Sequence, residues 1–405
     1  MNTATPARTT SPFRLALYWL GIQAVWGAVL GISLQARTIE LSASNPVIAY
    51  GGLAATGAVV AAVVQILGGF WSDARRRNGS RRIEFYLAGG VAGAVALELF
   101  YGARSFTELT LAYAALQAAL NLAIGPYQAI IPDFVERMRF GTASSWMAAL
   151  QSAGNATGAL AASFIANARA LGASLGALLV CTCVATTVHA RNLNLRKAPE
   201  SGDAPRLTRA FVDLFVSRAL VYVGFYTLLG YLLFYVQAVL GTTVLAQARL
   251  HTGILIVSFT LVGALGAAIA ARPSDRIDKR LVATAGAAVF IVALGVFIGS
   301  HIFAGAVVAT VLAGVGWGVF LVADWAIACR MLPPRAMAAS MGIWNLAVVL
   351  PQVVAPALTT AVLQHVARGG ATAAPATAFI LALGESLIGA AWLWRIPRTV
   401  IEGAP

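Results

Sequence analysis

Twelve apolar stretches take up almost the whole chain, and each is long enough to cross a bilayer, since a spanning helix needs about 20 apolar residues. Only 11% of the 405 residues are charged, whereas soluble domains carry about 25%. This pattern predicts an all-α integral membrane protein with little room for a soluble domain. The stretches are residues 15–36, 46–69, 85–104, 107–135, 141–166, 169–189, 219–241, 251–271, 281–300, 302–329, 337–364 and 376–396.

The net charge of +13 could suit a nucleic-acid-binding protein, but the placement of the basic residues points to membrane topology instead. All but five of the 28 Lys and Arg residues fall on one side of the predicted membrane. The positive-inside rule therefore predicts a multi-pass protein of the cell membrane with both termini in the cytoplasm and no nucleic-acid partner. The five exceptions are Arg37, Arg104, Arg169, Arg249 and Arg368.

The two halves of the chain repeat one another. Residues 1–190 hold six predicted spans, residues 191–217 form a polar linker, and residues 218–405 hold six more. Three landmarks recur in order in both halves, which predicts two pseudo-symmetric six-helix bundles, as in transporters that bind a solute near the bilayer midplane between their repeats. These landmarks are Asp73 and Asp275, the Gly125/Asp133 and Gly316/Asp324 pairs, and Arg139 and Arg335.

Neither enzyme nor metal chemistry is predicted. No zinc spacing, phosphate loop or dinucleotide fingerprint is found in the sequence. The three cysteines, which include Cys181 and Cys183 of span 6, are an odd number within apolar helices and suit packing better than a disulfide. The expectation is a protein without cofactors.

Three intramembrane carboxylates are the candidates for proton coupling. A carboxylate at mid-membrane costs about 2.5–3.5 kcal/mol to insert, so it usually has a partner or a task. Asp324 in span 10 is the main candidate, and a structural salt bridge to Arg330 or Arg335 is the alternative. Glu98 and Glu385, on spans 3 and 12, are further candidates, although a packed or paired carboxyl suits both.

Amide and aromatic side chains recur at helical spacing on several spans. Such spacing keeps side chains on one stripe. Amides both donate and accept, which suits sugar hydroxyls, and aromatic rings suit the apolar faces of sugars. Hydrogen bonds between helices are the alternative. The candidate solute-binding residues from these stripes are Gln23, Trp26, Asn121, Gln128, Gln151, Asn155, Tyr226, Asn345 and Gln352.

Two inner loops carry a repeated Ser-Asp beside basic residues. The arginines can pair with Asp133 or Glu136, and such contacts would hold one conformation and break in another. Plain positive-inside charge explains the arginines but not the repeated Ser-Asp. The candidate gating residues are Gly69, Asp73, Arg77, Arg81, Asp133, Asp275 and Arg276.

Glycine and proline interrupt spans 4, 10 and 11. Proline removes a backbone hydrogen bond and bends a helix, which the membrane tolerates where neighbours or water satisfy the freed groups. These spans are therefore expected either to line a central cavity or to pack closely.

With these residues in view, the chain resembles the major facilitator superfamily. Gly69, Asp73 and the following arginines are similar to its loop signature, with a second copy at residues 274–276. Residues 125–133 (GPYQAIIPD), 323–326 (ADWA) and 341–345 (MGIWN) resemble the glycoside–pentoside–hexuronide:cation symporter and sucrose-transporter branch. The resemblance implies alternating access and cation-linked sugar uptake, and it adds Trp344 to the candidate solute-binding residues. Spans 1 and 2 lack the carboxylates with which the melibiose-type branch holds sodium.

The sequence as a whole predicts a monomeric secondary transporter. The hypothesis is proton-coupled transport of a sugar or glycoside. The alternatives are an exporter of lipophilic, drug-like compounds and a non-transporting membrane sensor or assembly factor.

Overall fold

The computed structural model describes residues 10–43, 45–77, 81–136, 139–193, 208–331, 337–368 and 375–398. Every regular element in these ranges is helical. The long helices are α1 (Pro12–Leu41), α2 (Pro46–Arg77), α3 (Ile83–Gly102), α4 (Phe106–Tyr127), α5 (Phe140–Phe164), α6 (Ala168–Arg191), α7 (Arg209–Ala238), α8 (Leu245–Arg276), α9 (Lys279–Gly299), α10 (Phe303–Met331), α11 (Met337–Arg368) and α12 (Pro375–Trp392).

Within the described ranges, eleven helices are long and apolar enough to cross a membrane. The helix outside this set is α5, whose 25 residues would reach about 37 Å. Its length therefore suffices, but Gln151 and Asn155 make it more polar than its neighbours. The prediction of an all-α membrane protein with a repeated six-helix layout is confirmed.

Side-chain caps fix where several helices begin. Ser105 accepts a hydrogen bond from the Glu108 amide before α4, and Asn167 accepts one from the Ala170 amide before α6. Thr208 accepts from the Phe211 amide and starts α7 at Arg209. Each cap satisfies an amide that the first turn leaves unpaired. Residues 209–217, placed in the linker by the sequence analysis, are therefore helical.

The chain forms two compact units. Unit 1 holds residues 1–29 and 56–200, and unit 2 holds residues 30–55 and 201–405. In unit 1, α1 packs on α5 and α6, and α3 packs on α4 and α6. In unit 2, α7 packs on α11 and α12, and α9 packs on α10 and α12. The same pairing recurs six helices later, which is the internal repeat seen in the sequence.

Helix α1 is divided between the two units at a wide π-helical turn, Val29–Ser33. The part beyond this turn packs within unit 2, where Gln35 Nε2 donates to the Gly230 carbonyl over 3.1 Å. The start of α2 follows it, with Tyr50 against Tyr231 at 5.3 Å between ring centroids. Turns of this kind are rare and interrupt regular helical pairing.

Glycines set how closely some helices approach. A methyl group at Gly158 of α5 would lie 1.9 Å from the Ala24 carbonyl oxygen of α1. One at Gly318 of α10 would lie 2.0 Å from the Gly263 carbonyl oxygen of α8. Helix α10 is continuous, so its glycines serve close packing and do not interrupt it. Helix α4 does end early, at Tyr127, and a short helix Ile130–Phe134 follows.

Candidate functional site

A buried ion pair joins α7 and α10 in unit 2. Arg218 is 4% exposed and Asp324 is 2% exposed. Arg218 Nη1 pairs with Asp324 Oδ2, in a contact that lacks hydrogen-bond geometry. Arg218 lies nine residues after the start of α7, or about 14 Å into it, so the charges are well inside the helix bundle. Each charge offsets part of the cost of burying the other.

Aromatic rings enclose the Arg218 guanidinium. Its Cζ atom lies 3.5 Å from the centroid of Trp344 and 4.8 Å from that of Tyr222. Arg218 Nη2 also donates to the Tyr222 hydroxyl over 3.2 Å. Trp325 packs edge-on against Trp344 at 4.9 Å. A desolvated cation over a Trp face gains about 2 kcal/mol, so the rings hold Arg218 in place beside Asp324.

A layer of aromatic side chains continues from Tyr222. Trp317 packs against Tyr222 at 4.8 Å and stacks on Phe225 at 4.2 Å. Next to them, Gln352 Nε2 donates to the Tyr226 hydroxyl over 2.9 Å. Tyr226 and Gln352 are both half-buried. This arrangement offers flat apolar faces next to an amide and a phenol.

The amides predicted in unit 1 fall into two groups. Gln23 Nε2 donates to Gln151 Oε1 over 3.4 Å, and both residues are half-buried, as are Trp26 and Asn155. Asn121 is 6% exposed and donates to Gln117 Oε1 over 3.0 Å.

Gln117 in turn donates to the Tyr113 hydroxyl over 2.7 Å. Asn121 therefore belongs to a buried network inside the unit, while Gln128 is exposed. The helical spacing of these residues does not distinguish the buried Asn121 from the exposed Gln128.

The first inner loop is organised by Arg82. Its Nη1 lies 2.6 Å from Asp73 Oδ1, and its Nε lies 3.0 Å from Asp133 Oδ2. Arg82 Nη1 also donates to the Ser72 hydroxyl over 2.9 Å. Arg81 instead binds backbone carbonyls at the end of α6, including that of Ala190 at 3.0 Å. Arg82 thus joins Asp73 and Asp133, two of the three predicted gating carboxylates.

The remaining candidate gating residues have varied surroundings. A Cβ atom added at Gly69 would meet no neighbouring atom within 4 Å. Arg276 is exposed. The side chains of Arg77 and Asp275, like that of the candidate Asn345, lie outside what the structure describes.

In the second inner loop, Arg280 Nη2 lies 2.6 Å from Asp278 Oδ2. This contact holds the pKa of the Asp278 carboxyl below its ordinary value.

The two further candidate carboxylates differ. Glu98 is exposed on α3, whereas Glu385 is 6% exposed on α12. Neither carboxyl oxygen of Glu385 has a hydrogen-bond partner among the described residues.

Arg218 is the residue that the sequence reasoning missed. The sequence analysis counts it only among the cytoplasmic basic residues that set the topology, and it considers Arg330 or Arg335 as the partner of Asp324. The described partner is Arg218, and Arg335 lies outside the described residues. Arg218 precedes Tyr222 by four residues and Tyr226 by eight, so the three side chains share one face of α7. This spacing was the sequence signal that could have identified Arg218.

Comparisons with known proteins agree on the fold. No curated protein matches the chain. Among solved structures, a bacterial homolog of the human lysosomal transporter Spinster matches with a TM-score of 0.76 at 16% identity, covering 98% of both chains. A D-xylose-proton symporter matches with a TM-score of 0.69 at 14% identity, covering 96% of this chain and 98% of the other.

The nucleoside transporter NupG matches with a TM-score of 0.68 at 13% identity, covering 95% of this chain and 98% of the other. At these identities the likeness concerns the fold. The sequence profile described as Major Facilitator Superfamily matches residues 15–356, which is most of the chain. The protein therefore belongs to the Major Facilitator Superfamily of membrane transporters.

Proposed function

We propose that this protein is a proton-coupled transporter of a sugar or glycoside and that Asp324 carries the coupling proton. The observation behind the proposal is the buried Arg218–Asp324 pair. Burying a charged pair is weak evidence for stability, because well-packed apolar residues often do as well. A pair kept at this depth in a transporter is better explained by a task.

Protonation of Asp324 would remove the countercharge of Arg218. Trp344 and Tyr222 would still hold the guanidinium in place, since cation–π contacts do not depend on Asp324. Arg218 could then offer its donors to a solute oxygen. One proton would in this way alter the solute-binding group beside it, which is the linkage that coupling requires.

The neighbouring side chains support a sugar as the solute. The rings of Phe225 and Trp317 offer apolar faces, and Tyr226 and Gln352 offer a hydroxyl and an amide. Considered by itself, unit 1 also carries half-buried amides that can hydrogen-bond to sugar hydroxyls, namely Gln23, Gln151 and Asn155. The resemblance of residues 125–133 and 341–345 to sugar:cation symporters points the same way.

Uptake into proteoliposomes tests the proposal. A panel of sugars and glycosides is first screened by thermal unfolding, because a ligand at a hundredfold excess over its Kd stabilises the folded state by about 2.7 kcal/mol. The stabilising compound is then offered with and without an inward proton gradient. The wild type should accumulate it only with the gradient, and Asp324→Asn should lose accumulation while retaining exchange of the solute.

The matched control is Asp213→Asn. Asp213, on α7, is another buried carboxylate of unit 2, but it accepts a hydrogen bond from Trp392 Nε1 at 2.9 Å. This variant should keep gradient-driven accumulation. Full accumulation by Asp324→Asn would refute the coupling role.

An exporter of lipophilic compounds is the second candidate. The observation that favours it is the extent of the aromatic layer, in which Phe259 packs on Phe225 at 5.7 Å and Phe290 lies 5.8 Å from Trp317. Stabilisation by lipophilic cations, with none by sugars, would select this function. In either case we propose a monomer in the cell membrane with both termini in the cytoplasm.

A further inference from the structure

Oxygen-bearing side chains of α7, α11 and α12 meet inside unit 2, away from the Arg218–Asp324 pair. Thr227 Oγ1 and Thr359 Oγ1 lie 3.3 Å apart, and both residues are buried. Gly224, one turn before Thr227 on α7, faces the hydroxyl of Ser386, which is the neighbour of Glu385 on α12. The group therefore joins one carboxylate to two hydroxyls on three helices.

The carboxylate of this group has no charged partner among the described residues. Glu385 is 6% exposed, and neither of its oxygens has a hydrogen bond of good geometry to a described residue. The ion pairs found among the described residues join other carboxylates. The hydroxyl of Ser386, the next residue, is also buried and unpaired, and it faces Gly224 of α7. Buried polar groups are normally hydrogen-bonded, so these oxygens are available to a ligand.

The group lies near the middle of the membrane. Glu385 is ten residues from Pro375, Thr227 is eleven from Ala238, and Thr359 is nine from Arg368. At 1.5 Å per residue these distances are about 14–17 Å. That is about half of the 30 Å hydrocarbon core, where an uncompensated carboxylate is expensive.

We propose that Glu385, Thr227 and Thr359 bind a monovalent cation of the size of Na⁺. Carboxylate and hydroxyl oxygens are hard donors, which suit hard cations. A single carboxylate neutralises one positive charge, whereas a divalent ion would leave a net charge in the membrane. Two oxygens at about 2.4 Å from an ion and at right angles are about 3.4 Å apart, close to the spacing of the two threonine hydroxyls.

The packing of the two threonines supports this assignment. Buried helical threonines commonly donate to the carbonyl four residues earlier, as Thr310 does to Ala306 over 2.8 Å. Thr227 and Thr359 are instead paired with each other across α7 and α11. Their oxygens are therefore directed at the space between the helices. The proposal does not depend on proton coupling at Asp324.

Thermal unfolding of the purified full-length protein tests the proposal with Na⁺ itself. NaCl is compared with KCl and choline chloride at equal ionic strength and mildly alkaline pH, and binding of radioactive sodium is measured in parallel. The wild type should be stabilised selectively by Na⁺ and should bind about one ion per chain. Glu385→Gln should abolish both effects, and Thr227→Val or Thr359→Val should weaken binding about tenfold or more, as expected for loss of a charge-assisted contact.

Two control variants change buried polar residues of unit 2 that lie outside the proposed cation site. Asp213→Asn removes another buried carboxylate of unit 2, and Thr310→Val removes a buried hydroxyl bonded to its own helix. Both should keep the sodium response. Asp324→Asn should also keep it, which separates failure of this proposal from failure of the proposed coupling.

Two outcomes would overturn the proposal. The first is the absence of any selective sodium effect on stability or binding in the wild type. The second is a sodium effect that persists in Glu385→Gln. If Glu385→Gln instead raises the stability of a sodium-insensitive protein, Glu385 is a protonated carboxyl and not a cation ligand.

Discussion

The buried pair predicts strong non-additivity between two substitutions. Asp324→Asn leaves the Arg218 guanidinium buried without its countercharge, and Arg218→Gln leaves the Asp324 carboxylate in the same situation. Removing one partner of a buried ion pair typically costs about 3–5 kcal/mol. The double variant leaves no charge behind and should cost mainly the cation–π contacts with Trp344 and Tyr222, about 2 kcal/mol.

Independent effects would add to about 6–10 kcal/mol in the double variant. The structure predicts far less, with an interaction energy of at least about 4 kcal/mol between the two positions. This value is above the range of about 0.5–3 kcal/mol that is usual for residues in contact. The order of stability should be wild type, then the double variant, then the two single variants.

The assay is reversible unfolding in mixed micelles, with the unfolding free energy taken from denaturant titration. Asp278→Asn combined with Asp324→Asn serves as the control, because Asp278 pairs with Arg280 and shares no partner with Asp324. The effects of those two substitutions on the unfolding free energy should be additive. If the Arg218/Asp324 double variant were as unstable as the sum of its single variants, the pair would not be an energetic unit and the argument would fail.

Three further predictions concern packing and the inner loops. Because Arg280 holds the Asp278 pKa below its ordinary 3.8, Asp278→Asn should lower the thermal stability at neutral pH, and the difference should vanish as the pH falls through the folded-state pKa; a constant difference down to acid pH would contradict this. Arg82→Lys should cost about 1–3 kcal/mol of unfolding free energy despite the retained charge, since lysine cannot reproduce the forked contact of Arg82 with two carboxylates; a lysine variant as stable as the wild type would contradict this. Gly158→Ala should cost about 1–3 kcal/mol in the same titration by overpacking, whereas an alanine that left stability unchanged would show that α1 and α5 can separate freely.

The sequence predicted the architecture well because the bilayer restricts the possible answers. Length, hydropathy and the placement of arginines determine spans and repeats, since unsatisfied backbone groups are not tolerated in lipid. Helix α5 shows where hydropathy is a weaker guide to membrane spans. It has spanning length, but Gln151 and Asn155 lower its mean hydropathy.

The candidate site was predicted less completely, for reasons that periodicity does not capture. Asn121 has the spacing of a solute-binding residue, but its amide is engaged by Gln117 within the unit. Periodicity identifies which residues share a face and does not identify what that face meets. Arg218 stood at the edge of an apolar run and was read as a topological charge, although its partner Asp324 lies in a helix more than 90 positions later in the chain.

The close approach of α1 and α5 has a consequence for how this sequence can diverge. Every missense change of a glycine codon adds at least one carbon, and at Gly158 that carbon would stand 1.9 Å from the Ala24 carbonyl oxygen. The same holds at Gly27, where it would stand 2.2 Å from the Asn155 carbonyl oxygen. No single-nucleotide missense change is sterically neutral at either codon. A deep mutational scan should therefore find both positions depleted of all nineteen alternatives, including alanine, while half-buried positions nearby, such as Gln151, tolerate several.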